Sequence, residues 1–260
     1  MEFTLEEYKK AIAQKGYMQI PFAGSPELIL EAIERFFTFL ELPVERKLPF
    51  GWLYQLTADE RGCESGYRLR TATDGKHDNK EYFHYNPDVH RLILERPDAP
   101  PELLTFLEAA EKIYAEAAKT MEPVIEALSI FPPRIDLTSP AGALRFLKYD
   151  QAEPGEFLAR GHYDRNLSSL AIAESAPGLR IGQNPEQLEE VHHEPGKAIL
   201  FPSLILEEQS HGEIKASWHD VVQKSEDGYR PGVARWAIVL FPVPHAPSYL
   251  FQDTTHSKRA

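Results

Sequence analysis

Apolar residues in the first half of the chain recur every three or four positions, which is the spacing of amphipathic helices. Thr4 and Glu7 form a capping-box pattern that predicts the start of a short helix. Ser25 followed by Pro26 predicts a second helix, because serine is a favoured N-cap and proline fits the first helical position. The segment GYMQIPF between them predicts a short strand.

The longest predicted helix follows a proline-rich segment that ends at Pro101. Its apolar stripe consists of Leu103, Leu107, Ala110, Tyr114, Ala117, Met121, Val124 and Leu128. Such a stripe predicts a helix that packs along a sheet. Pro123 lies inside the pattern and is expected to kink the helix or divide it in two, because proline lacks an N–H. Residues 51–86 show no sustained period and are interpreted as irregular structure with short strands.

Beyond residue 133 the helical spacing disappears, and short β-like runs separated by Gly and Pro replace it. The runs are GALRFLKY, SSLAIA, GLRIG, KAILFP, WHDVVQ and VARWAIVLF. Closely spaced strands of this kind predict a β-sandwich or a jelly roll. A chain of 260 residues is expected to form a single catalytic domain over 1–260, with a helix-rich N-terminal region at 1–135 and a β core at 141–245.

Composition limits the cellular location and the binding partners that we expect for this chain. The single cysteine, Cys63, cannot form an internal disulfide, and the first residues carry no apolar stretch, so a cytoplasmic location is expected. No run of about 18 apolar residues occurs, and no membrane partner is expected. The net charge of -12 disfavours a nucleic-acid partner, because binding to phosphates needs clustered Lys and Arg. We expect a small-molecule substrate.

The segment GHYDRN places His162 and Asp164 two positions apart. In an extended strand, residues i and i+2 point to the same face, so both side chains can hold one ion. Imidazole and carboxylate suit a borderline metal, and a third ligand completes one face of an octahedron. His219, in KASWHDVVQ, is the candidate for that ligand. Three open positions then remain for a bidentate 2-oxo acid and dioxygen.

Arg235 lies on the last apolar strand, VARWAIVLF. A guanidinium can make two parallel charge-assisted hydrogen bonds, so Arg235 is the candidate for binding the distal carboxylate of such a cosubstrate. Each residue also has a structural interpretation. Taken alone, His219 is compatible with a hydrogen-bonded strand histidine, and Arg235 with one half of an internal ion pair.

Several segments resemble the isopenicillin N synthase and plant-type iron/2-oxoglutarate oxygenase family. GHYDRNLSSLAIAESAPGLRI resembles its H-x-D segment and the "PGL" turn that follows, and SHGEIKASWHDVV resembles S-N-G-x-Y-K-S-x-x-H-R-V. The strand with Arg235 resembles the R-x-S strand of the family. LRFLKYD resembles the strand whose tyrosine helps to hold the cosubstrate, which is Tyr149 here. KGYMQIPF and DNKEYFHY extend the resemblance into the first half.

The resemblance implies an α+β, mainly β fold, in which a double-stranded β-helix (a cupin-like jelly roll) is flanked by N-terminal helices and one long helix. It implies iron(II) on His162, Asp164 and His219, 2-oxoglutarate on Arg235 and Tyr149, and dioxygen as the third reactant. The expected enzyme is a dioxygenase that hydroxylates, desaturates or cyclises a small organic molecule and releases succinate and CO2. The alternatives are a 2-oxoglutarate-independent non-haem iron oxidase of the same fold and a non-catalytic jelly-roll binding protein.

Three departures from the family pattern bear on the cosubstrate. Ala237 stands in place of the serine of R-x-S, so one hydroxyl donor to the distal carboxylate is missing. Asp220 replaces the arginine that follows the second histidine. Arg235 lies 16 positions after His219, a wider spacing than in the family, and Arg230 is the alternative anchor if the longer hairpin shifts the strand.

Three other arginines are candidates for substrate recognition. Arg165 follows the H-x-D motif, and its guanidinium is suited to a substrate carboxylate if it faces the cavity. Arg68 and Arg70, in SGYRLR, lie in the region that helps to close the pocket in the resembled family. Surface salt bridges are the structural alternative for each of them.

Overall fold

Helices dominate the first half of the chain and strands the second, as the hydrophobic pattern predicts. In the computed structural model, the described residues are 3–51, 65–71, 79–131, 135–136, 142–226 and 228–244. Their helices are α1 (Leu5–Lys15), α2 (Pro26–Leu40), α3 (Val44–Lys47), α4 (Pro87–Leu94), α5 (Pro101–Leu128) and α6 (Leu204–Gln209). Their strands are β1 (Met18–Pro21), β2 (Gly66–Arg70), β3 (Lys80–Tyr85), β4 (Ile135–Asp136), β5 (Ala143–Asp150), β6 (Phe157–His162), β7 (Ser168–Glu174), β8 (Leu179–Gly182), β9 (Glu189–Glu190), β10 (Lys197–Pro202), β11 (Trp218–Val222), β12 (Val233–Phe241) and β13 (Val243–Pro244).

The first two helices begin where their capping residues predict. The Thr4 hydroxyl accepts a hydrogen bond from the backbone N–H of Glu7, and the Ser25 hydroxyl accepts one from Leu28. These bonds satisfy N–H groups that have no partner within the helix. Both predicted starts are confirmed.

The long helix α5 is continuous through Pro123, so of the two outcomes predicted for this proline the division into two helices does not occur. Twelve of its 28 residues are buried. The packing of this face outweighs the hydrogen bond that proline removes, which costs about 3 kcal/mol in a helix interior. Within the described ranges, no helix, α5 included, has the length and apolar character needed to cross a membrane.

The strands form two main antiparallel sheets. The major sheet has seven strands in the order β1-β10-β7-β12-β5-β3-β2, and the minor sheet has four in the order β6-β11-β8-β9. β4 and β13 form a separate pair. In the major sheet, β1 lies at one edge beside β10, and β12 lies between β5 and β7. The strands β2 and β3 come from the segment 51–86 that the sequence left mostly irregular.

Alternation of side chains along the strands divides the apolar residues into two cores. One core joins the outer face of the major sheet to α2 and α5, through residues such as Phe36, Phe106 and Phe146. The other lies between the two sheets, where Leu147 and Ala237 of the major sheet pack with Leu158, Ile181 and Val221 of the minor sheet. This arrangement confirms the predicted α+β fold with a double-stranded β-helix flanked by helices. We call the space between the sheets the interior of the barrel.

Candidate active site

The ladder between β6 and β11 brings the two histidines of the predicted site together. His162 ends β6, and its direct partner on β11 is His219. Residues that face each other across an antiparallel pair point to the same side, so both imidazoles share one face of the minor sheet. Asp164 follows His162 by two positions and joins them there, as its spacing predicts.

The three side chains are close enough to contact one ion. Nε2 of His162 lies 3.4 Å from Oδ1 of Asp164, and Nε2 of His219 lies 3.7 Å from Oδ2 of Asp164. Both separations are shorter than about 4 Å, which is twice a typical bond from a metal to nitrogen or oxygen. Among the described residues, this is the one group of at least three potential metal-binding side chains that the structure brings together.

Neighbouring groups fix the orientation of these side chains. The Nδ1 atom of His162 lies 2.7 Å from the carbonyl oxygen of Arg160, which leaves Nε2 directed towards Asp164. The Ser169 hydroxyl donates a 2.5 Å hydrogen bond to Oδ2 of Asp164. The ring of Phe201 packs against His219 with 4.9 Å between the ring centroids. Such supporting contacts orient ligands before a metal arrives.

The protonation states of His219 and Asp164 also suit metal binding. Burial lowers the pKa of His219 to about 4, so its ring is neutral at pH 7. Burial alone would raise the pKa of Asp164, but the two imidazoles and Ser169 outweigh it and hold this pKa well below its usual range. Partial burial and the charge of Lys80 lower the pKa of His162, whereas Asp164 raises it, and the net effect is upward.

The predicted anchor Arg235 lies near the start of β12 and is 2% exposed. Its direct partner on β5 is Tyr149, and its Cζ lies 5.9 Å from the centroid of the Tyr149 ring. Because Tyr149 belongs to the apolar core between the sheets, both side chains face the interior of the barrel. The structure thus brings Arg235 and Tyr149 together on the wall opposite the minor sheet.

Sequence reasoning did not identify Glu174, which forms an ion pair with Arg235 from the end of β7. The pair uses Nη2 of the arginine, while Nε and Nη1 are buried without a hydrogen-bond partner among the described residues. The internal ion pair considered for Arg235 is therefore present, and two buried donors remain available. The guanidinium of Arg230, the alternative anchor, stacks on Phe37 of α2 at 3.7 Å from the ring centroid.

The remaining sequence candidates lie in different places. Arg70 pairs with Lys80 across β2 and β3, and Lys80 pairs with Tyr149 across β3 and β5, so all three face the interior of the barrel. Arg68, two positions before Arg70, shares this face. Arg165 is exposed beside Asp164. Lys80 was not predicted, although its Nζ lies 6.0 Å from the Tyr149 ring centroid.

No protein-family model and no curated protein matches the sequence. Solved structures match it in fold. A full-length Neurospora crassa protein in complex with alpha-KG is 20% identical with a TM-score of 0.65, over 92% of this chain and 78% of that one. The rice dioxygenase for auxin oxidation is 19% identical with a TM-score of 0.67, over 90% and 76%. The 2-oxoglutarate complex of dioxygenase for auxin oxidation 1 from Arabidopsis thaliana is 15% identical with a TM-score of 0.67, over 93% and 88%.

This chain has the fold of 2-oxoglutarate-binding dioxygenases. The likeness spans both sheets and the helices, since it covers at least 90% of the chain in each of the three comparisons. The fold implied by the sequence resemblance is therefore confirmed. At 15–20% identity the likeness carries the fold, and the chemistry has to be argued from the side chains described above.

Proposed function

We propose that this chain is an iron(II)- and 2-oxoglutarate-dependent dioxygenase that hydroxylates, desaturates or cyclises a small organic molecule. The observation that carries the proposal is the convergence of His162, Asp164 and His219 on one face of the minor sheet, within reach of a single ion. Structures of the same fold support it, since they hold alpha-KG or 2-oxoglutarate, and one complex of the Neurospora crassa protein also holds thymine.

The donor set fits ferrous iron. Two imidazole nitrogens and one carboxylate form the facial arrangement that is typical of non-haem iron(II) oxygenases, and it leaves adjacent positions open. A structural zinc site would instead need a fourth protein ligand to close its tetrahedron. The described residues offer no fourth member of this group.

The residues of the major sheet would hold the cosubstrate. Nε and Nη1 of Arg235 are buried and have no hydrogen-bond partner among the described residues, so they can donate to the distal carboxylate of 2-oxoglutarate. Tyr149 is the direct partner of Arg235 in the ladder between β5 and β12. Glu174 shares this guanidinium, so its carboxylate has to shift or share the donors when the cosubstrate binds. The missing serine hydroxyl at Ala237 weakens the anchor by roughly 1 kcal/mol.

The bound iron would supply dioxygen activation, coupled to the oxidative decarboxylation of 2-oxoglutarate to succinate and CO2. The protein would hold the reactants in the interior of the barrel, where apolar residues from both sheets limit the access of water. All five proposed site residues fall within 141–245, and we propose that this core and the helices around it act as one catalytic domain.

Anaerobic reconstitution with iron(II) tests the proposal through two measurements: metal affinity and the formation of labelled succinate from labelled 2-oxoglutarate. The wild-type protein is expected to bind iron and to turn over slowly even without a primary substrate. Asp164→Ala is expected to lose both properties, whereas Arg235→Met keeps the metal and needs more 2-oxoglutarate for half-maximal turnover.

The exposed helix variant Arg91→Met serves as a control that changes the net charge by the same amount as Arg235→Met. A wild-type protein that neither binds iron nor forms succinate would overturn the proposal. Oxygen consumption that does not depend on 2-oxoglutarate would overturn the assignment of the cosubstrate and favour the oxidase alternative.

A further inference from the structure

Charged side chains are segregated between the two faces of β2, β3 and β5. On the face towards the interior of the barrel, every side chain of these strands that can be charged near neutral pH is basic. These residues are Arg68, Arg70, Lys80, His84 and Arg145. The acidic residues of the same strands, Glu81 and Asp150, lie on the opposite face, where Lys148 contacts both. We call these five residues the basic wall. Its positive charge contrasts with the net charge of -12 of the whole chain.

Aromatic rings separate the cations of this wall. The Tyr82 ring contacts Arg70 and Arg145, with 5.7 and 5.1 Å from each Cζ to the ring centroid. The register places these two arginines diagonally on opposite sides of Tyr82 along the strands. The guanidinium of Arg145 also lies 4.5 Å from the centroid of Phe241. Contacts with the faces of the Tyr82 and Phe241 rings stabilise the cation of Arg145.

Arg145 has a defined orientation and available donors. Its Nε donates to Nε2 of His84, which is its hydrogen-bond partner among the described residues. The two terminal nitrogens of Arg145, Nη1 and Nη2, have no hydrogen-bond partner among the described residues, and the side chain is partly buried. These two nitrogens form one edge of the guanidinium, and their spacing matches that of the two oxygens of a carboxylate.

The wall lies beside the candidate metal site. Phe241, which Arg145 contacts, ends β12, and β12 pairs with β7 beside Ser169, the residue that donates to Asp164. An anion held at Arg145 would therefore have its carbon skeleton near Asp164 and the two histidines beside it.

We propose that the primary substrate is a small organic acid and that Arg145, whose guanidinium contacts the rings of Tyr82 and Phe241, binds its carboxylate. This inference rests on the proposed function and assigns a carboxylate site separate from Arg235. The rings of Tyr82 and Phe241 and the hydrogen bond to His84 hold the guanidinium of Arg145 in place, so the site is formed before the anion arrives and little ordering is needed.

Ligand-observed NMR on the metal-free protein tests the site independently of turnover. The probes are benzoate, cyclohexanecarboxylate and 3-phenylpropionate, each paired with its neutral amide, and phenyl phosphate. The acids are expected to bind at least about tenfold more tightly than their amides, since a charge-assisted bidentate contact supplies the difference. Arg145→Met is expected to remove that preference, whereas Arg235→Met and the surface control Arg91→Met are expected to keep it.

Arg145→Lys and Arg70→Met add two checks if Arg145→Met is poorly folded by circular dichroism. Both are expected to reduce the preference for the acid, because lysine lacks the fork and Arg70 flanks the same ring. Equal binding of acids and amides, or loss of acid binding in Arg235→Met instead of Arg145→Met, overturns the proposal. Tighter binding of phenyl phosphate than of every carboxylate overturns the assignment to an organic acid.

Succinate formation with iron is a separate measurement, so failure of the oxygenase proposal is recognised independently.

Discussion

Ser169 connects the interior of the major sheet to the candidate metal site through one hydrogen bond to Asp164. The neighbouring Ser168 is equally buried, but its hydroxyl has no partner among the described residues. Two adjacent strand residues point to opposite faces, which explains why only Ser169 reaches the carboxylate. Replacing each serine in turn therefore distinguishes an effect on the orientation of Asp164 from the general effect of removing a buried hydroxyl.

Ser169→Ala is expected to weaken metal binding roughly 10- to 100-fold, because outer contacts of this kind hold a ligand in its binding orientation. Ser168→Ala is expected to leave metal affinity unchanged. Titration with Mn(II), followed by electron paramagnetic resonance, measures both variants against the wild type. Identical affinities for all three proteins would contradict the role given to Ser169.

The second residue-scale prediction concerns Glu174. Glu174→Gln leaves Arg235 buried without its counter-ion, and an uncompensated buried charge costs about 3–5 kcal/mol. The variant is therefore expected to unfold at lower temperature than the wild type. The proposed cosubstrate 2-oxoglutarate would bring a carboxylate to the same guanidinium, so its addition with Mn(II) is expected to raise the melting temperature of the variant more than that of the wild type.

Glu95→Gln, at the exposed residue that follows α4, removes one negative charge without touching the barrel and is expected to behave as the wild type in this assay. If 2-oxoglutarate shifts the melting temperature of Glu174→Gln and of the wild type equally, the cosubstrate does not contact Arg235.

At the scale of elements, the turn from β7 to β8 has to bring its backbone very close to the end of β11. Gly178 has a φ of +131°, and a Cβ at this position would lie 2.2 Å from the carbonyl oxygen of Val222. The same carbon would lie 3.6 Å from Nη1 of Arg235. This glycine therefore sets the approach of the minor sheet to the anchor arginine.

Gly178→Ala is expected to destabilise the protein by at least about 3 kcal/mol, because backbone strain and a backbone clash add together. Gly196 is the matched control. It has a φ of +74° but open space around its Cβ position. Gly196→Ala is expected to cost about 1–2 kcal/mol from conformation alone. Urea unfolding measures both values, and equal losses would show that the contact with Val222 is unimportant.

Local signals predicted the elements well, and long-range pairing explains what they missed. The caps at Thr4 and Ser25 and the spacing of His162 and Asp164 depend on neighbours within four residues, so the sequence reveals them. The contact between Glu174 and Arg235 joins residues 61 positions apart. It depends on the register of β7 against β12, which no local pattern specifies.

The basic wall was missed for the same reason. Arg68 and Arg70 were noticed as isolated arginines, but Arg145 and Lys80 become their neighbours only through the pairing of β2, β3 and β5. The local pattern left open whether Pro123 would kink α5 or divide it, and the tertiary packing of the buried face keeps the helix continuous.

At the scale of the whole molecule, Glu81 joins the helical layer to the major sheet. Its carboxylate accepts hydrogen bonds from Lys47 of α3 at 2.6 Å, Tyr67 of β2 at 2.6 Å and Lys148 of β5 at 2.8 Å. Burial alone would raise the pKa of Glu81, but these three donors outweigh it and lower the pKa below its ordinary value of 4.5.

This shift makes stability depend on pH in a defined direction. A carboxyl with a lowered pKa in the folded state stabilises the protein above pH 4.5, and the contribution is lost as the pH falls through the lowered value. Glu81→Gln is expected to cost about 3 kcal/mol at pH 7, since it leaves Lys47 buried without a counter-ion. The difference from the wild type is expected to shrink on acidification below pH 4.5.

Urea unfolding at pH 7 and at pH 3.5 measures this difference, with the exposed variant Glu95→Gln as the control. A gap between Glu81→Gln and the wild type that stays constant over this interval would contradict the lowered pKa of Glu81.

The outermost strand β1 shields β10 along four paired positions, from Met18 opposite Leu200 to Pro21 opposite Lys197. The segment before it also braces β11, because the carbonyl oxygen of Gly16 accepts a hydrogen bond from Ser217, two positions before His219. Proteolytic clipping after residue 21 would uncover the apolar strand KAILFP, and its unpaired backbone would recruit other chains. Integrity of the N-terminal segment therefore protects the molecule from aggregation as well as supporting the strand that carries a proposed iron ligand.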